Sequence, residues 1–456
     1  MSCSTDPQVG CRAERGRASR RASRWPAAPA TRPGGRGDAL RGFGDPRLGY
    51  DSVVAVPALA HRSAAPDGPS PAGINPASTY LPELESLRGL AVLLVLAFHV
   101  DLSVMARLLV PGGSAVALPA AYVRGGYTGV GLFFVLSGFL LAGQFLGEMT
   151  GGESASRRSY LARRALRILP LYYAVVAYAA MINAQRPADL LRAVPFMVFL
   201  NSFPRFDVPL PPVSAVWWSL ATEVQFYLAL PIVAALLRPR WRRFGVLLLI
   251  AYALAYAAFA TGMAVPAGMR SQMMLCHSLF GQGPLFLLGA AAAWAYRDAG
   301  DALRSRLAAS PIARASADLL LIAVAIALGV LLRWTLTLGV LRDVPPYQAW
   351  HVLEGLIWAA LLLLLLLAPL HLKRVFCNRV LSELGVISYS VYLLHVSVLA
   401  AVFRTLRGAR PGALVGWDWR TVGVTVGVSA LCFALSWLSY RVIERPFLVR
   451  KSRHAG

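Results

Sequence analysis

The chain has 456 residues, of which 57% are hydrophobic and only 15% are charged, against about 25% charged residues in a soluble globular protein. This composition excludes an ordinary cytosolic enzyme and predicts an all-α, polytopic membrane protein. The formal net charge is +23, but the basic residues lie in the amino-terminal tail and between apolar segments, which indicates a membrane-topology signal rather than nucleic-acid binding.

The beginning of the chain differs from everything that follows it. Residues 1–78 are rich in Arg, Ala, Pro, Gly and Ser and contain no apolar run that could span a bilayer. No apolar core follows their positive charges, so they do not resemble a signal peptide. We predict a disordered, basic tail; contact with anionic lipids and a translation start further along the chain are the alternatives. A second short basic tail, residues 449–456, ends the sequence.

Ten apolar segments follow the tail, each of roughly 17–25 residues, the length that crosses a hydrocarbon core of ~30 Å. The predicted spans are residues 86–106, 127–147, 168–184, 214–237, 244–262, 277–297, 317–338, 351–370, 385–404 and 421–442. Gly281, Gly283 and Pro284 interrupt the sixth span. The apolar segment 190–203 is too short to span, so we expect it to be re-entrant or interfacial. One membrane domain of about ten helices therefore occupies residues 79–448.

The loops between these segments alternate in basic content. With the amino terminus inside, the inner loops contain dense clusters of Arg and Lys, in residues 157–167, 238–243, 297–314, 373–379 and 445–453. Of the outer loops, only the last, residues 404–420, is basic. The positive-inside rule therefore predicts an even number of helices with both termini in the cytoplasm, in a multi-pass protein of the cell's inner membrane.

The first predicted helix contains two ionisable residues, Arg88 and His99. Such side chains cost about 2.5–3.5 kcal/mol each on insertion scales, so each calls for a reason. At 100° per residue they share one face, about 16 Å apart along the axis, with Arg88 just inside the interface and His99 near mid-bilayer. A snorkelling arginine and a hydrogen-bonded neutral histidine are the alternatives; the shared face favours a functional pair.

Other helices also place ionisable residues within the membrane. Glu223 lies in the fourth helix, with Tyr227 one turn later, and His395 lies near the middle of the ninth helix, one turn after Tyr392. A carboxyl group at that depth is either protonated or paired. Together with His99, these residues predict a polar cavity that opens to the cytoplasm and has base chemistry at its floor.

Arg164 and Arg167 lie one helical turn apart, where the second inner loop leads into the third helix. Guanidinium groups at this spacing can bind phosphate oxygens, although ordinary positive-inside charge also explains basic residues there. The sequence contains no Walker loop, dinucleotide fingerprint or metal-ligand motif, so we predict no bound cofactor and no metal.

Six short motifs follow one another along the chain. They are Leu87-Arg88-Gly89-Leu90 with His99, Gly129-Val130-Gly131-Leu132-Phe133-Phe134-Val135-Leu136-Ser137-Gly138-Phe139-Leu140, Arg164 and Arg167 with Pro170, Trp218-Ser219-Leu220 with Glu223 and Tyr227, Tyr389-Ser390-Val391-Tyr392-Leu393-Leu394-His395, and Glu444-Arg445-Pro446. Through them, about residues 80–448 resemble the acyltransferase-3 family of integral membrane acyltransferases. The resemblance implies ten helices with cytoplasmic termini and transfer of an acyl group, commonly acetyl from acetyl-coenzyme A, to a hydroxyl of a carbohydrate or other glycosylated acceptor.

The resemblance also assigns roles to residues. It places Arg88 and His99 in catalysis and Arg164 and Arg167 in donor binding. To these we add Glu223 as a catalytic partner that orients His99 or holds the acceptor. Supporting residues are predicted at Ser137, Trp218, Tyr227, Tyr389, Tyr392, His395 and Glu444. His99 would take the proton of the acceptor hydroxyl, or would carry the acyl group itself.

One position departs from the family pattern. Gly131 stands where the family usually has an acidic or polar residue, so we expect a polar contact near the second helix to be missing. Two other classes of function compete: a transporter, which also places ionisable residues at mid-membrane, and a catalytically idle scaffold for polysaccharide precursors. The predicted partners are acyl-coenzyme A, a glycosylated acceptor and the lipid bilayer, without nucleic acid, and we expect no appended extracytoplasmic esterase-like domain.

Overall fold

A computed structural model describes residues 81–105, 116–201, 216–264, 268–308, 311–339, 344–345, 348–409 and 418–452. The predicted tail, residues 1–78, lies outside them. In this part of the chain no strand occurs, and the helices are α1 (Pro82–Met105), α2 (Leu118–Arg124), α3 (Thr128–Ala142), α4 (Leu146–Met149), α5 (Arg157–Asn183), α6 (Val194–Met197), α7 (Trp217–Leu236), α8 (Arg242–Ala260), α9 (Met269–Cys276), α10 (Leu279–Ala308), α11 (Pro311–Leu338), α12 (Trp350–Leu367), α13 (Lys373–Phe376), α14 (Arg379–Val386), α15 (Ser388–Ala409), α16 (Trp419–Ser439) and α17 (Arg445–Ser452).

The long helices account for the predicted membrane crossings. Among the described residues, nine helical segments are long and apolar enough to cross a membrane. In addition, α2 and α3 pass the same test together, although they are bent by 72° at the short break between them. Counted as one span, this pair brings the total to ten, the number that the sequence predicts. The all-α, polytopic fold class is therefore confirmed.

Two helix boundaries differ from the prediction. α5 begins at Arg157 rather than at residue 168, because the side chain of Ser156 caps it by accepting a hydrogen bond from the backbone of Ser159. Arg164 and Arg167 therefore lie inside a helix and not at the end of a loop. In the sixth span the break falls between α9 and α10, and Pro284 lies within α10.

In the segment predicted to be re-entrant or interfacial, the structure describes residues 190–201, and these form short turns. A 3-10 turn over Pro187–Ala193 precedes α6, and neither element is long enough to span a bilayer.

Glycines allow the central helices to approach closely. A Cβ atom built on Gly89 of α1 would lie 1.9 Å from a backbone oxygen of α14, and one on Gly385 of α14 would lie 1.9 Å from a backbone oxygen of α1. Gly138 and Gly289 make the same kind of contact between α3 and α10, at 2.2 and 2.1 Å. Small residues at such crossings bring membrane helices together. Gly89 follows Arg88 directly, so this packing also fixes the position of that arginine.

Candidate functional site

Most of the predicted site residues line one cavity among α1, α3, α5, α7 and α15. They are Arg88, Ser137, Arg164, Arg167, Glu223, Tyr227, Tyr389 and Tyr392. Apolar side chains, among them Phe133 and Phe134, complete the wall. The cavity thus collects residues from five helices that are far apart in sequence. Four predicted site residues do not line it: His99, His395, Trp218 and Glu444.

One part of the cavity is basic and incompletely paired. Arg164 and Arg167 lie one turn apart on α5, and within the described residues neither has an acidic group at salt-bridge distance. The Nε atom of Arg164 is buried and has no hydrogen-bond partner there. The Nη1 atom of Arg88 lies 3.6 Å from Glu85. Unpaired guanidinium groups inside a membrane protein are costly, so this surface is suited to an anionic ligand.

Glu223 is held by two hydroxyl groups. Its Oε1 atom accepts hydrogen bonds from the Ser137 Oγ atom, at 2.6 Å, and from the Tyr227 hydroxyl, at 2.5 Å. The sequence predicts that this carboxylate either orients His99 or holds the acceptor. The structure instead pairs it with hydroxyls across α3 and along α7, because the two histidines lie on α1 and α15 and contact each other.

His99 and His395 form a pair between α1 and α15. The Nε2 atom of His395 lies 3.3 Å from the Nδ1 atom of His99, and the ring centroids are 4.8 Å apart at an interplanar angle of 74°. His395 is buried, with 1% of its surface exposed, whereas His99 is partly exposed. His99 is therefore the less buried residue of the pair.

Tyr392 lies between the cavity and the histidine pair. Its hydroxyl group contacts the Ser219 Oγ atom at 2.5 Å and a backbone oxygen of residue Val216 at 3.1 Å. Its ring lies 5.9 Å from the ring of Phe133, which lines the cavity, and 5.9 Å from that of His395, which does not. The predicted arrangement with the base at the floor of the cavity is thus incomplete, because an aromatic layer of Phe133 and Tyr392 intervenes.

Arg88 and His99 lie eleven residues apart along α1, as the sequence places them. Arg88 lies in the first third of α1 and His99 in the last third. The arginine in the cavity wall and the histidine of the pair therefore lie toward opposite ends of α1.

The remaining predicted residues connect the site with neighbouring elements, with Tyr389 in the cavity wall and Trp218 and Glu444 outside it. Trp218 stacks on His277, with ring centroids 4.2 Å apart, and the Tyr389 hydroxyl donates to a backbone oxygen of α5 at 2.8 Å. Glu444 is buried at the end of a π-helical turn and accepts a hydrogen bond from Ser390. These contacts join α15 to α5 and to the segment after α16, and α7 to the residue that follows α9.

Sequence reasoning missed a buried carboxylate beside Gly131. Glu354 of α12 is 1% exposed, and a Cβ atom on Gly131 would lie 2.3 Å from its Oε1 atom. Thr128 donates to Oε1 at 2.6 Å, and the His351 Nδ1 atom lies 2.9 Å from Oε2. The expectation of a missing polar contact is therefore wrong: the carboxylate comes from α12 instead of α3. An acidic residue within an apolar span, three residues after a histidine, was the available signal.

A second buried carboxylate lies outside the membrane-spanning helices. Glu148 of α4 accepts hydrogen bonds from Arg157 Nη1 at 2.6 Å and from Arg238 Nε at 2.8 Å. Burial by itself raises the pKa of Glu148, but the hydrogen bonds and charges of the two arginines outweigh burial and hold the pKa below its ordinary value. This cluster fastens α4 to the start of α5 and the end of α7.

Comparison with known proteins shows a family match over most of the chain. The family model for an acyltransferase domain, acyltransferase-3, matches residues 81–441. The peptidoglycan O-acetyltransferase OatA of Listeria monocytogenes serovar 1/2a is 26% identical over 397 residues, which cover 82% of this chain and 56% of that protein. This chain thus spans little more than half the length of that relative.

Two further relatives show the same kind of similarity. The putative membrane-bound transacylase BcsY of Komagataeibacter xylinus is 26% identical over 391 residues, 81% of this chain and 84% of that protein. The putative peptidoglycan O-acetyltransferase YrhL of Bacillus subtilis is 28% identical over 167 residues, 33% of this chain and 23% of that protein. No solved structure matches the chain.

Proposed function

We propose that this chain, which belongs to the acyltransferase-3 family and is a multi-pass membrane acyltransferase, moves an acyl group, in the simplest case acetyl, from acyl-coenzyme A to a hydroxyl of a carbohydrate or glycosylated acceptor. The names of the Listeria and Bacillus relatives refer to O-acetylation of peptidoglycan, which supports a glycan as the acceptor here too. The donor and the catalytic base each have separate support in the geometry.

The observation that carries the donor assignment is the unpaired basic part of the cavity. Arg164 and Arg167 lack acidic partners in the described part of the chain, and the Arg164 Nε atom is buried without a hydrogen bond. Phosphate oxygens satisfy guanidinium donors in pairs, and coenzyme A carries several phosphate groups. Arg88 extends the same surface from α1. We therefore assign the phosphate end of the donor to these three arginines.

We assign proton transfer to His99. In this mechanism His99 takes the proton of the acceptor hydroxyl as the oxygen attacks the thioester carbonyl carbon. The tetrahedral intermediate then expels the thiolate of coenzyme A, which takes the proton from His99, so that the ester and the free thiol are the products. An acyl-histidine intermediate is the covalent form of the same chemistry. The partial exposure of His99 supports access of the acceptor to this imidazole.

Glu223 and Tyr392 take positioning roles in this proposal. Both hydroxyl partners of Glu223 bond to Oε1, which leaves Oε2 to accept a hydrogen bond from a substrate. The thioester end of the donor must pass the layer formed by Phe133 and Tyr392 to reach His99. The hydrogen bond between Tyr392 and Ser219 is therefore the contact that has to yield during the reaction.

A reconstituted assay tests the function. We would incubate purified protein in lipid vesicles with radiolabelled acetyl-coenzyme A and soluble peptidoglycan fragments and measure label in the glycan. We expect turnover in wild type and its loss in His99→Ala, with normal insertion and unchanged coenzyme A affinity. Label taken up by vesicles without acylation would instead identify a transporter, and glycan binding without either would identify a scaffold.

The donor assignment makes a separate prediction. Arg164→Ala and Arg167→Ala should each weaken coenzyme A binding roughly 10- to 100-fold, because each loses a charge-assisted hydrogen bond of about 1.5–3 kcal/mol. Arg158→Ala, an exposed arginine on the same helix, is the matched control and should change the affinity less than twofold. Equal losses of donor and acceptor affinity in the two cavity variants would contradict the assignment.

A further inference from the structure

We propose that His395 is a positioning residue that holds His99 in one tautomer, with the proton on Nδ1 and the reactive lone pair on Nε2. The inference rests on the proposed function, in which His99 acts as the base. It concerns the contacts of the two imidazoles with backbone oxygens, which together determine where the protons lie.

The proton of His395 can be assigned first. Its Nδ1 atom lies 2.7 Å from the backbone oxygen of Tyr392 and 3.0 Å from that of Val391. A carbonyl oxygen can only accept a hydrogen bond, so Nδ1 of His395 carries the hydrogen. In the neutral imidazole the other ring nitrogen, Nε2, is then an acceptor. This acceptor is the atom that faces His99.

The same reasoning then assigns the proton of His99. Its Nδ1 atom lies 2.9 Å from the backbone oxygen of Val95 and 3.3 Å from the His395 Nε2 atom. Both neighbours are acceptors, so Nδ1 of His99 carries a hydrogen that the two share. The lone pair of neutral His99 is therefore on Nε2, the nitrogen that takes no part in the contact with His395.

This arrangement suits a base in a low-dielectric site. When Nε2 of His99 takes a proton from the acceptor hydroxyl, the imidazolium keeps its Nδ1 hydrogen between two acceptors, which stabilise the positive charge. In many enzymes a carboxylate fills this orienting role. Here Glu223 is bonded to Ser137 and Tyr227, and within the described residues no carboxylate contacts either imidazole. His395 supplies the acceptor without placing a second charge in the membrane.

Two amide substitutions separate orientation from packing. In His395→Gln, the side-chain amide can place its oxygen where Nε2 of the imidazole lies, facing His99. His395→Asn reaches only the position of Nδ1 and leaves His99 without the acceptor. His395→Leu keeps apolar volume and removes both nitrogens. Leucine fills about the same volume as glutamine at this buried position, so a role in packing alone predicts no advantage of glutamine over leucine.

We expect kcat to fall roughly 10- to 100-fold in His395→Asn and His395→Leu, as for loss of a hydrogen bond to a charged group. His395→Gln should recover at least tenfold of that loss, and the KM for acetyl-coenzyme A should stay within twofold in all three variants. Equal activity of the asparagine and glutamine variants, or activity within twofold of wild type in the leucine variant, would overturn the proposal. The amount of inserted protein and its apparent unfolding temperature serve as folding controls.

A second measurement does not depend on turnover. In protein labelled with nitrogen-15 histidine, the signals of His99 can be identified by their loss in His99→Ala. We expect a protonated Nδ1 and an unprotonated Nε2 in wild type, and a mixture of both tautomers in His395→Leu. The opposite tautomer in wild type would overturn the proposal. If wild type shows the expected tautomer but transfers no acyl group, the proposed function fails while the assignment of the protons stands.

Discussion

Gly131 of α3 provides the space in which the carboxylate of Glu354 lies. The carboxylate accepts a hydrogen bond from Thr128 and contacts His351, and the Trp358 indole donates to the Thr128 hydroxyl at 3.0 Å. A buried network of this kind stabilises a structure only while all its members are paired. The residue at position 131 is therefore coupled to the residue at position 354 on another helix.

This coupling predicts the outcome of a double-mutant cycle. Gly131→Ala should destabilise the protein by about 1–3 kcal/mol, because the new methyl group would displace Glu354 from its partners. Glu354→Ala should also destabilise it, and the double variant should lose less than the sum of the two. The loss of stability in each of the three variants is measured as the change in apparent unfolding temperature in detergent. Gly423→Ala on α16, where a Cβ atom meets nothing within 4 Å, is the control; additive losses would contradict the coupling.

At the scale of residues, the sequence predicted which side chains belong to the site, but it did not predict which of them contact each other. The helical period placed Arg88 and His99 on one face of α1, and the one-turn spacing placed Arg164 and Arg167 together on the cavity wall. The contact of His99 with His395 depends on how α1 packs against α15. That packing is set by side chains and glycines of several helices, which no periodicity within one segment reveals.

At the scale of helices, ion pairing outside the membrane-spanning segments adds to the apolar packing between elements. Glu148 connects α4 with the start of α5 and the end of α7 through Arg157 and Arg238. The same basic residues contribute to the topology signal in the sequence, so charge pattern alone could not show that two of them have a buried partner. The predicted third span also begins too late, at residue 168, because the first turns of α5 are basic and do not register as apolar although they are helical.

The lowered pKa of Glu148 predicts a pH-dependent stability. Because the folded-state pKa lies below the unfolded value, the unfolded chain binds more protons in acid. The stabilisation is therefore fully present at neutral pH and is lost as the pH falls below about 4.5 and through the folded-state pKa. Glu148→Gln should lower the apparent unfolding temperature at pH 7, by an amount equivalent to about 1–3 kcal/mol, since both arginines are partly exposed.

The difference between wild type and Glu148→Gln should shrink in acid, where the wild-type carboxylate becomes protonated. Unfolding scans between pH 7 and about pH 2, a range that continues well below the unfolded-state pKa of about 4.5, measure it. Glu153→Gln, an exposed glutamate in the same connection, should follow wild type throughout. A difference that stays constant over this range would mean that the charge of Glu148 contributes nothing.

For the whole molecule, Arg88 in the cavity wall and His99 of the histidine pair lie toward opposite ends of α1, about 16 Å apart along its axis. The loop charges predict that the end nearer to Arg88 faces the cytoplasm, where acyl-coenzyme A is made. In the proposed function the acyl group therefore moves along the bundle, past Tyr392, before it meets the acceptor at His99. The helical period of α1 was enough to predict that Arg88 and His99 share one face. The aromatic layer of Phe133 and Tyr392 could not be predicted in this way, because it depends on how α3 packs against α15.

The last prediction concerns the amino-terminal tail. The family match begins at residue 81, and every residue assigned to the cavity or to the histidine pair lies after it. Residues 1–78 lack the apolar content to join a membrane core. We therefore expect a variant that lacks residues 2–78 to insert normally and to keep kcat and both KM values within twofold of wild type.

If the tail is translated, it is either a solvated segment or a segment that binds anionic lipids. The lipid composition of the assay separates these two interpretations. A basic tail that binds anionic lipids gains about 1 kcal/mol per basic residue near a negatively charged surface. Full-length and shortened proteins should therefore be compared in neutral vesicles and in vesicles with phosphatidylglycerol. Equal activity in both membranes supports a solvated tail. A loss that is confined to the anionic vesicles, with insertion unchanged, would show that the tail acts through the lipid surface and contradict its dispensability.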